Sequence, residues 1–152
     1  MKVLGIRVEP KKTRYALVDY DGTDFTLVNA NTESRLSYPA DVSEPDEKVD
    51  WLYRELERLY HENQDIVKVC IKTNEYTQSD NKSKRETAYL EGAVLLFCKH
   101  KGLPVSAKIY ASLATRSADV KDHAEQRVGR TVKYWDGKMA DAVIAAWNGA
   151  RN

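Results

Sequence analysis

Residues 5–22 read GIRVEPKKTRYALVDYDG and contain the end of one apolar run, a basic turn and a second apolar run. The two runs, KVLGIRV and TRYALVDY, are rich in the β-branched and aromatic residues that favour strands. The Asp21-Gly22 pair that follows is a strong hairpin signal. Arg7 departs from this pattern, because it places a charge where the first strand should be most buried. The role of this arginine decides the functional interpretation.

The next part of the chain predicts a third strand, a loop and a helix. The run DFTLVNAN gives the strand, and residues 31–45, NTESRLSYPADVSEP, form a polar loop with two prolines. Apolar residues then recur at helical spacing and predict a helix from about Asp46 to Asn63. Residues 66–71, IVKVCI, are almost continuously apolar, which is typical of a strand buried on both faces in a parallel sheet. A crossover helix therefore precedes a central strand.

The C-terminal half predicts one more strand between helices. A polar segment, residues 73–85, precedes a helix with a broad apolar face that includes Tyr89 and ends at Gly102. Residues 104–110 predict a fifth strand, residues 111–130 one or two short polar helices, and residues 138–148 a final helix. No internal repeat or second domain is evident, so we expect one domain over residues 1–152.

Composition restricts the function classes. The chain has 24 basic and 23 acidic residues among 152, so no field of the whole chain points to nucleic acid or membrane. No apolar run approaches the roughly 18 residues of a membrane span, and we expect a cytoplasmic protein with no membrane partner. Cys70 and Cys98 lie inside apolar segments, which predicts buried free thiols of a reducing compartment.

The predicted order is three antiparallel strands, helix, strand, helix, strand and further helices. This order describes an α/β fold with a five-stranded mixed sheet flanked by helices, as in RNase H-like proteins. Four stretches resemble the RuvC-like branch of that superfamily, which includes Holliday-junction resolvases. They are GIRVEPKKTRYALVDYDG, IVKVCIKTNEYTQ, GLPVSAKIYASLATRSADVKDHAEQRVGR and KMADAVIAAWNGA. The resemblance covers nearly all of the chain.

The resemblance implies metal-assisted phosphodiester hydrolysis by carboxylates that converge on divalent ions. In the family these acids come from the first strand, the strand after the crossover helix and the last helix. Here the first position holds Arg7, the second holds Lys72, and the last helix keeps Asp141 with Lys138 one turn earlier. The resemblance therefore implies a degenerate site that retains one of four expected acids.

Cations at ligand positions oppose a metal ion. At about 4 Å and an effective dielectric of about 20, a unit positive charge repels a divalent ion by roughly 8 kcal/mol. We therefore expect no cofactor, and we expect a fixed positive charge at Arg7 in place of the metal. Two interpretations remain open. Arg7 and Lys72 could pair with Asp141 as an internal salt bridge without function, or Arg7, Lys72 and Lys138 could hold a phosphate.

Basic residues near this site extend the second interpretation to branched DNA or RNA. They lie in the first turn and before the second helix: Lys11, Lys12, Arg14, Lys82, Lys84 and Arg85. Tyr76 could stack on a base. A solvated loop face is the commoner meaning of such short charge runs. The sequence favours a pseudonuclease that binds nucleic acid or acts as a protein-interaction module.

One alternative is a metal-dependent nuclease with rearranged carboxylates. Glu9, Glu75 and Asp136 lie near the substituted positions and could join Asp141 around Mg²⁺ or Mn²⁺. Glu9 would point the same way as Arg7 but about 6 to 7 Å farther along the strand, which is too far to replace a ligand directly.

A further alternative is a dimeric scaffold. Trp51, Trp135 and Trp147 are candidate interface anchors, although core packing is favoured for Trp147. Other chemistries lack support, since the three histidines are scattered and no glycine-rich phosphate loop is present.

Overall fold

The computed structural model describes all residues, 1–152, as a mixed sheet of six strands with helices on both faces. The strands are β1 (Lys2–Arg7), β2 (Lys12–Tyr20), β3 (Phe25–Leu27), β4 (Arg35–Ser37), β5 (Ile66–Lys72) and β6 (Val105–Lys108). The helices are α1 (Pro45–Glu62), α2 (Lys82–Lys101), α3 (Val120–Arg127) and α4 (Gly137–Arg151), with a short 3₁₀ helix at Tyr110–Leu113. The predicted α/β class is confirmed.

The sheet combines an antiparallel hairpin with a parallel half. Its order is β3-β2-β1-β5-β6, in which β1 pairs antiparallel with β2 and parallel with β5, and β5 pairs parallel with β6. The central position of β5 explains its continuous apolar sequence, because helices cover both of its faces.

The strand β4 was not predicted. It lies inside the segment interpreted as a polar loop and pairs antiparallel with Lys12–Arg14 at the start of β2, whereas β3 pairs with Val18–Tyr20 at its end. Three residues are too few for a period-2 pattern to be recognised in the sequence. This strand forms because its backbone pairs with the exposed edge of β2. The sheet therefore has six strands instead of the five expected.

The two faces of the sheet carry separate apolar clusters. Leu4, Ile6 and Val8 of the first strand segment pack with α1 and α2, whereas Val3 packs with α3 and α4 on the other face. Alternate residues of a strand point to opposite faces, so Gly5 and Arg7 lie on the α4 face. Cys70 and Cys98 are buried free thiols, as predicted.

Gly5 sets how closely α4 approaches the sheet. A Cβ at this position would lie 2.0 Å from the carbonyl oxygen of Ala142 and 2.6 Å from the amide nitrogen of Ala146. Only a residue without a side chain permits this contact between helix and strand backbones. Because α4 is held against the centre of the sheet, its first turns lie beside the carboxyl ends of β1 and β5.

The buried face of α2 differs from the one predicted by the sequence. Tyr89, placed on the buried face by its spacing, is 49% exposed, and Leu95 and Leu96 are also exposed. The buried stripe of α2 is therefore narrower than its composition suggests. No helix of the protein has both the length and the apolar character that crossing a membrane requires.

Candidate active-site cleft

The four positions named by the resemblance do come together in the fold. Arg7 ends β1 and Lys72 ends β5, and these parallel strands are aligned with Ile6 opposite Ile71. The carboxyl ends of the two strands therefore meet at one edge of the sheet. The first turns of α4 bring Lys138 and Asp141 over this edge. Arg7, Lys72 and Asp141 are 4%, 1% and 1% exposed.

Arg7 is the hub of the buried cluster. Its Nε lies 3.1 Å from Oδ2 of Asp141, a close contact of opposite charges in which the N–H direction does not form a hydrogen bond. Its Nη1 donates to the carbonyl oxygen of Lys72 at 3.2 Å, and its Nη2 donates to Oδ1 of Asn74 at 3.0 Å. The guanidinium thus connects β1, the end of β5 and α4.

Asp141 is held from the other side by Tyr110. The Tyr110 hydroxyl donates to Oδ1 of Asp141 at 2.7 Å. Burial raises the pKa of Asp141, against the opposing effects of the Tyr110 hydrogen bond and the charges of Arg7, Lys72 and Lys138. Burial and the bond to Asp141 also raise the pKa of Tyr110. Both carboxylate oxygens are thus engaged by the chain's own side chains.

Lys72 has a complete set of neighbours of its own. Its ammonium donates to the carbonyl oxygen of Thr73 and to Oε2 of Glu75, the latter at 3.1 Å, and lies 3.9 Å from the centre of the Tyr110 ring. Burial lowers the pKa of Lys72, although the hydrogen bond to Glu75 opposes this shift. For Glu75, burial would raise the pKa, but the Tyr110 amide and Lys72 lower it overall.

Lys138 is the cation of the group that lacks an acidic partner. It is half-buried, makes no salt bridge and lines a cleft with a volume of ≈ 320 Å³. Arg7, Asn74, Thr77 and Lys84 also line this cleft, which we call the Arg7–Lys138 cleft. Burial, with a smaller contribution from the charge of Arg7, lowers the pKa of Lys138.

The acids of the rearranged alternative are each bound to a cation. Arg14 contacts both Glu9 and Asp136, with Nη2 3.0 Å from Oδ2 of Asp136. Asp136 is also the N-cap of α4 and accepts the amide of Met139 at 2.9 Å. Glu75 is bound by Lys72. Each of these side chains thus has a structural role.

These positions decide whether the site fits the metal ions that the fold suggests. No group of three or more histidine, cysteine, aspartate or glutamate side chains is placed to hold one ion. Arg7 and Lys72 lie where further carboxylates would be needed beside Asp141. The side chains present therefore do not fit a site for Mg²⁺ or Mn²⁺.

The predicted basic surface is only partly formed. Arg14 does not belong to it, because this side chain is 5% exposed and lies under the turn with its two acids. Lys11, Lys12 and Lys82 make no salt bridges and line a larger neighbouring groove of ≈ 870 Å³, which we call the basic groove. The groove and the Arg7–Lys138 cleft share Glu9, Pro10 and Ser83.

Two other predicted basic residues have local partners. Lys84 donates to the hydroxyls of Thr77 and Ser79, and Arg85 pairs with Asp80, with Nη2 at 2.7 Å. Tyr76 is 82% exposed, so its ring is accessible as the stacking hypothesis requires.

Three residues of the site were missed in the sequence. Tyr110 and Asn74 contact the cluster directly, and Glu91 of α2 accepts a hydrogen bond from the Thr73 hydroxyl at 3.0 Å. Burial raises the pKa of Glu91. Tyr110 and Asn74 each follow a parallel strand by two residues, and this position was the signal that could have identified them. Glu91, in the middle of a helix, carried no such signal.

The tryptophans do not mark an exposed interface. Trp147 is 7% exposed and belongs to the core of the α4 face, as its favoured interpretation stated. Trp51 and Trp135 are partly buried against the two apolar clusters. The predicted anchors thus contribute mainly to packing.

Comparison with known proteins shows similarity at the level of structure. No protein-family model matches the sequence, and no curated protein matches it. The chain is similar to Thermus thermophilus RuvC, with a TM-score of 0.79 and 17% identity over 99% of this chain and 93% of that one. The T. thermophilus RuvC complex with Holliday junction substrate gives the same TM-score and coverage at 18% identity.

A second solved protein supports the same assignment. The yeast mitochondrial Holliday junction resolvase is similar with a TM-score of 0.65 and 17% identity, over 98% of this chain and 77% of that chain. At these identities the likeness establishes architecture. The chain therefore has the RuvC-like form of the RNase H fold, as the four sequence stretches indicated.

Proposed function

We propose that this protein is a pseudonuclease that binds a nucleic-acid phosphate backbone in the Arg7–Lys138 cleft without cutting it. The observation that carries the proposal is the buried contact between Arg7 and Asp141, at 3.1 Å. A guanidinium at this distance occupies the side of the carboxylate that a divalent ion would need. At about 4 Å and an effective dielectric of about 20, the charge of Arg7 would also repel such an ion by roughly 8 kcal/mol.

Charge balance around the site supports the same conclusion. Five carboxylates lie in and around the cleft among five cations; the carboxylates are Asp141, Glu75, Glu9, Asp136 and Glu91, and the cations are Arg7, Lys72, Lys138, Arg14 and Lys84. The structure thus compensates its acids internally. Lys11, Lys12 and Lys82 add positive charge along the basic groove without acidic partners. The surface presented to a ligand is therefore positive and suits a polyanion.

The cationic side chains of the cleft have two different roles. Arg7 and Lys72 are buried and committed to internal partners, so they set the local potential and the shape of the site. Lys138 has no such partner and is the side chain we assign to direct phosphate contact. The T. thermophilus RuvC complex with Holliday junction substrate makes branched DNA the first ligand to test, with RNA beside it.

The experiment is a binding and cleavage series in one assay. Labelled four-way junction, duplex and single-stranded DNA and RNA are titrated with and without Mg²⁺ or Mn²⁺. We expect metal-independent binding that weakens with salt and leaves the strands intact. Lys138→Ala should reduce the slope of log K against log salt by about one, since one phosphate contact is lost. Lys121→Ala, an exposed lysine of α3, is the matched control and should change neither.

The same assay tests the nuclease alternative. Metal-dependent cleavage that disappears in Asp141→Asn would overturn the proposal and return Glu9, Glu75 and Asp136 as ligands. Absence of binding to every substrate would also refute it and leave a protein-interaction module as the better account.

The helix α2 favours a second candidate function, homodimer assembly. Its outer face exposes Tyr89, Leu95 and Leu96 beside Ala88 and Gly92, an apolar stripe without a partner in the chain. Such patches are typical of protein interfaces. Analytical ultracentrifugation should show a dimer that Leu96→Ser dissociates, whereas Val67→Ser, at an exposed valine of β5, leaves it intact. A monomeric wild type would exclude this function.

A further inference from the structure

The connection between α3 and α4 presents one aromatic side chain in an unusual backbone conformation. Tyr134 has φ of +61°, in the left-handed region, and is 53% exposed. An L-residue with a bulky side chain is disfavoured there, and such conformations cluster at functional sites. Glycine would adopt this backbone conformation without strain, so the tyrosine side chain at this position has an energetic cost.

The backbone around Tyr134 is held firmly. The hydroxyl of Thr131, a residue 1% exposed, donates to the carbonyl oxygen of Lys133 at 2.7 Å, and the amide of Val132 donates to the carbonyl oxygen of Ala30 at 2.9 Å. Two residues after Tyr134, Asp136 caps α4 and binds Arg14. The ring is therefore presented from a fixed segment, which reduces the entropy lost when a ligand stacks on it.

One face of the ring carries a cation. The guanidinium carbon of Arg35 lies 3.6 Å from the centre of the Tyr134 ring. The residue as a whole is 53% exposed, so a ligand can approach the ring from the side that Arg35 does not cover. Arg35 and the neighbouring Lys133 have no acidic partner, and the nearby Glu33 is already bound by Arg58 and the Tyr15 hydroxyl. The surroundings of the ring are therefore positive.

The sheet connects this ring to the Arg7–Lys138 cleft. Arg35 lies opposite Arg14 in the pairing of β4 with β2, and Arg14 lies opposite Arg7 in the pairing of β2 with β1. Two strand spacings of about 4.8 Å place the backbone of Arg35 roughly 10 Å from the backbone of Arg7. Nucleotides are about 3.4 Å apart along a duplex strand, so a strand must span at least about three nucleotides to join the two places, and more once the reach of the Arg35 side chain to the ring is added. A bound strand longer than this can contact both places.

We propose that Tyr134, backed by Arg35, is a stacking platform for an unpaired nucleobase of a strand whose phosphates lie in the Arg7–Lys138 cleft. The ligand class is single-stranded DNA or RNA, or an unpaired stretch of a branched molecule. The aromatic face takes any base, and the cation behind it and Lys133 beside it favour the attached phosphates. This inference rests on the proposed function of the cleft.

The test compares Tyr134→Gly with Tyr134→Phe. Glycine accepts the positive φ without strain, so Tyr134→Gly removes the ring while retaining or raising the melting temperature. Binding of 12-nucleotide single-stranded DNA and RNA is measured by fluorescence anisotropy, beside a blunt duplex of the same length. We expect Tyr134→Gly to weaken single-strand binding by about 5- to 150-fold, the range of one base stack. Duplex binding should stay unchanged, and Tyr134→Phe should bind as the wild type does.

Each outcome bears on a separate claim. If Tyr134→Gly binds single strands as tightly as the wild type while Lys138→Ala binds them more weakly, the platform is refuted and the proposed function stands. An equal loss on duplex and single strand would also refute base stacking. If the wild type binds no nucleic acid, the proposed function fails first and the platform with it. Comparison of the DNA and RNA arms identifies which strand the platform accepts.

Discussion

Gly5 and Arg7 lie two residues apart on the same face of β1, both beneath α4, and they hold that helix in opposite ways. At Gly5 the absence of a side chain brings the strand against the backbone of Ala142 and Ala146. At Arg7 a long cationic side chain fills the space under the first turns of α4 and contacts Asp141. The first contact is steric and serves the fold, whereas the second is electrostatic and defines the chemistry of the cleft.

The difference teaches that the packing of α4 on the sheet and the charges at the edge of the sheet depend on separate residues. Close packing at Gly5 fixes the helix over the strand whatever occupies the edge of the sheet. The edge can then hold buried cations, provided that each buried charge finds a partner. Here Asp141, Asn74 and the Lys72 carbonyl provide those partners for Arg7.

The largest expected effect comes from Gly5→Ala. The new methyl would lie 2.0 Å from a backbone oxygen, so α4 must move away from the sheet. We expect a loss of about 4 kcal/mol or more in the free energy of unfolding, beyond the usual range of single substitutions. Urea unfolding followed by tryptophan fluorescence measures it.

Gly92→Ala is the matched control for this substitution. Gly92 lies on the exposed side of α2, where an added Cβ meets nothing within 4 Å. Because alanine is the better helix former, this variant should gain about 0.5 to 1 kcal/mol. Equal behaviour of the two variants would refute the steric role assigned to Gly5.

Arg7→Ala tests the electrostatic half of the comparison. It leaves Asp141 buried without its guanidinium, which should cost about 3 to 5 kcal/mol in the free energy of unfolding. The measurement is again urea unfolding, now near neutral pH.

The double variant Arg7→Met with Asp141→Leu separates charge from packing. Since both charges are removed together, it should be more stable than Arg7→Ala by at least about 1 kcal/mol, although Tyr110 loses its acceptor. The single variants Arg7→Met and Asp141→Leu complete the cycle. If the double variant loses as much free energy of unfolding as these two single variants lose together, the contact between Arg7 and Asp141 contributes no coupling energy.

The comparison also shows what the sequence could reveal. The order of strands and helices was predictable, because the continuous apolar run at residues 66–71 distinguishes a central parallel strand from the alternating hairpin. That order places Arg7 and Lys72 at one edge of the sheet. The strand β4 was not predictable, since its three residues are organised by pairing with the start of β2.

The partners of the site were harder to predict than its positions. Arg14 lies in a basic run that resembles a solvated turn, and only the fold turns its side chain inward to Glu9 and Asp136. The positive φ of Tyr134 likewise lies in a segment held by the bond from the Val132 amide to the distant carbonyl oxygen of Ala30, beside the local bond from Thr131 to Lys133. Pattern along the chain carries no information on such contacts.

The smallest expected effect is a pH dependence of nucleic-acid binding, caused by Lys138. This half-buried residue lies near Arg7 at the edge of the sheet. Burial lowers the pKa of Lys138 in the folded protein. Its ammonium therefore loses the proton at a lower pH than exposed lysines do, whose ordinary pKa is about 10.4. Nucleic-acid binding should therefore weaken as pH rises through this lowered pKa. Anisotropy titrations between pH 7 and pH 10 measure the change.

The contribution of Lys138 to stability should change in the opposite direction over the same interval. When the folded pKa of a lysine is below its unfolded value, the unfolded chain binds more protons, so the free energy of unfolding rises with pH. Lys138→Arg should flatten the binding profile and remove the contribution of Lys138 to stability. Lys72, whose pKa burial also lowers, contributes with the same sign, whereas the thiols of Cys70 and Cys98, whose pKa values burial raises, contribute with the opposite sign. The effect of Lys138 is therefore the difference between the wild type and Lys138→Arg. Binding that stays constant in the wild type up to the range of ordinary lysines would show that Lys138 does not hold the phosphate.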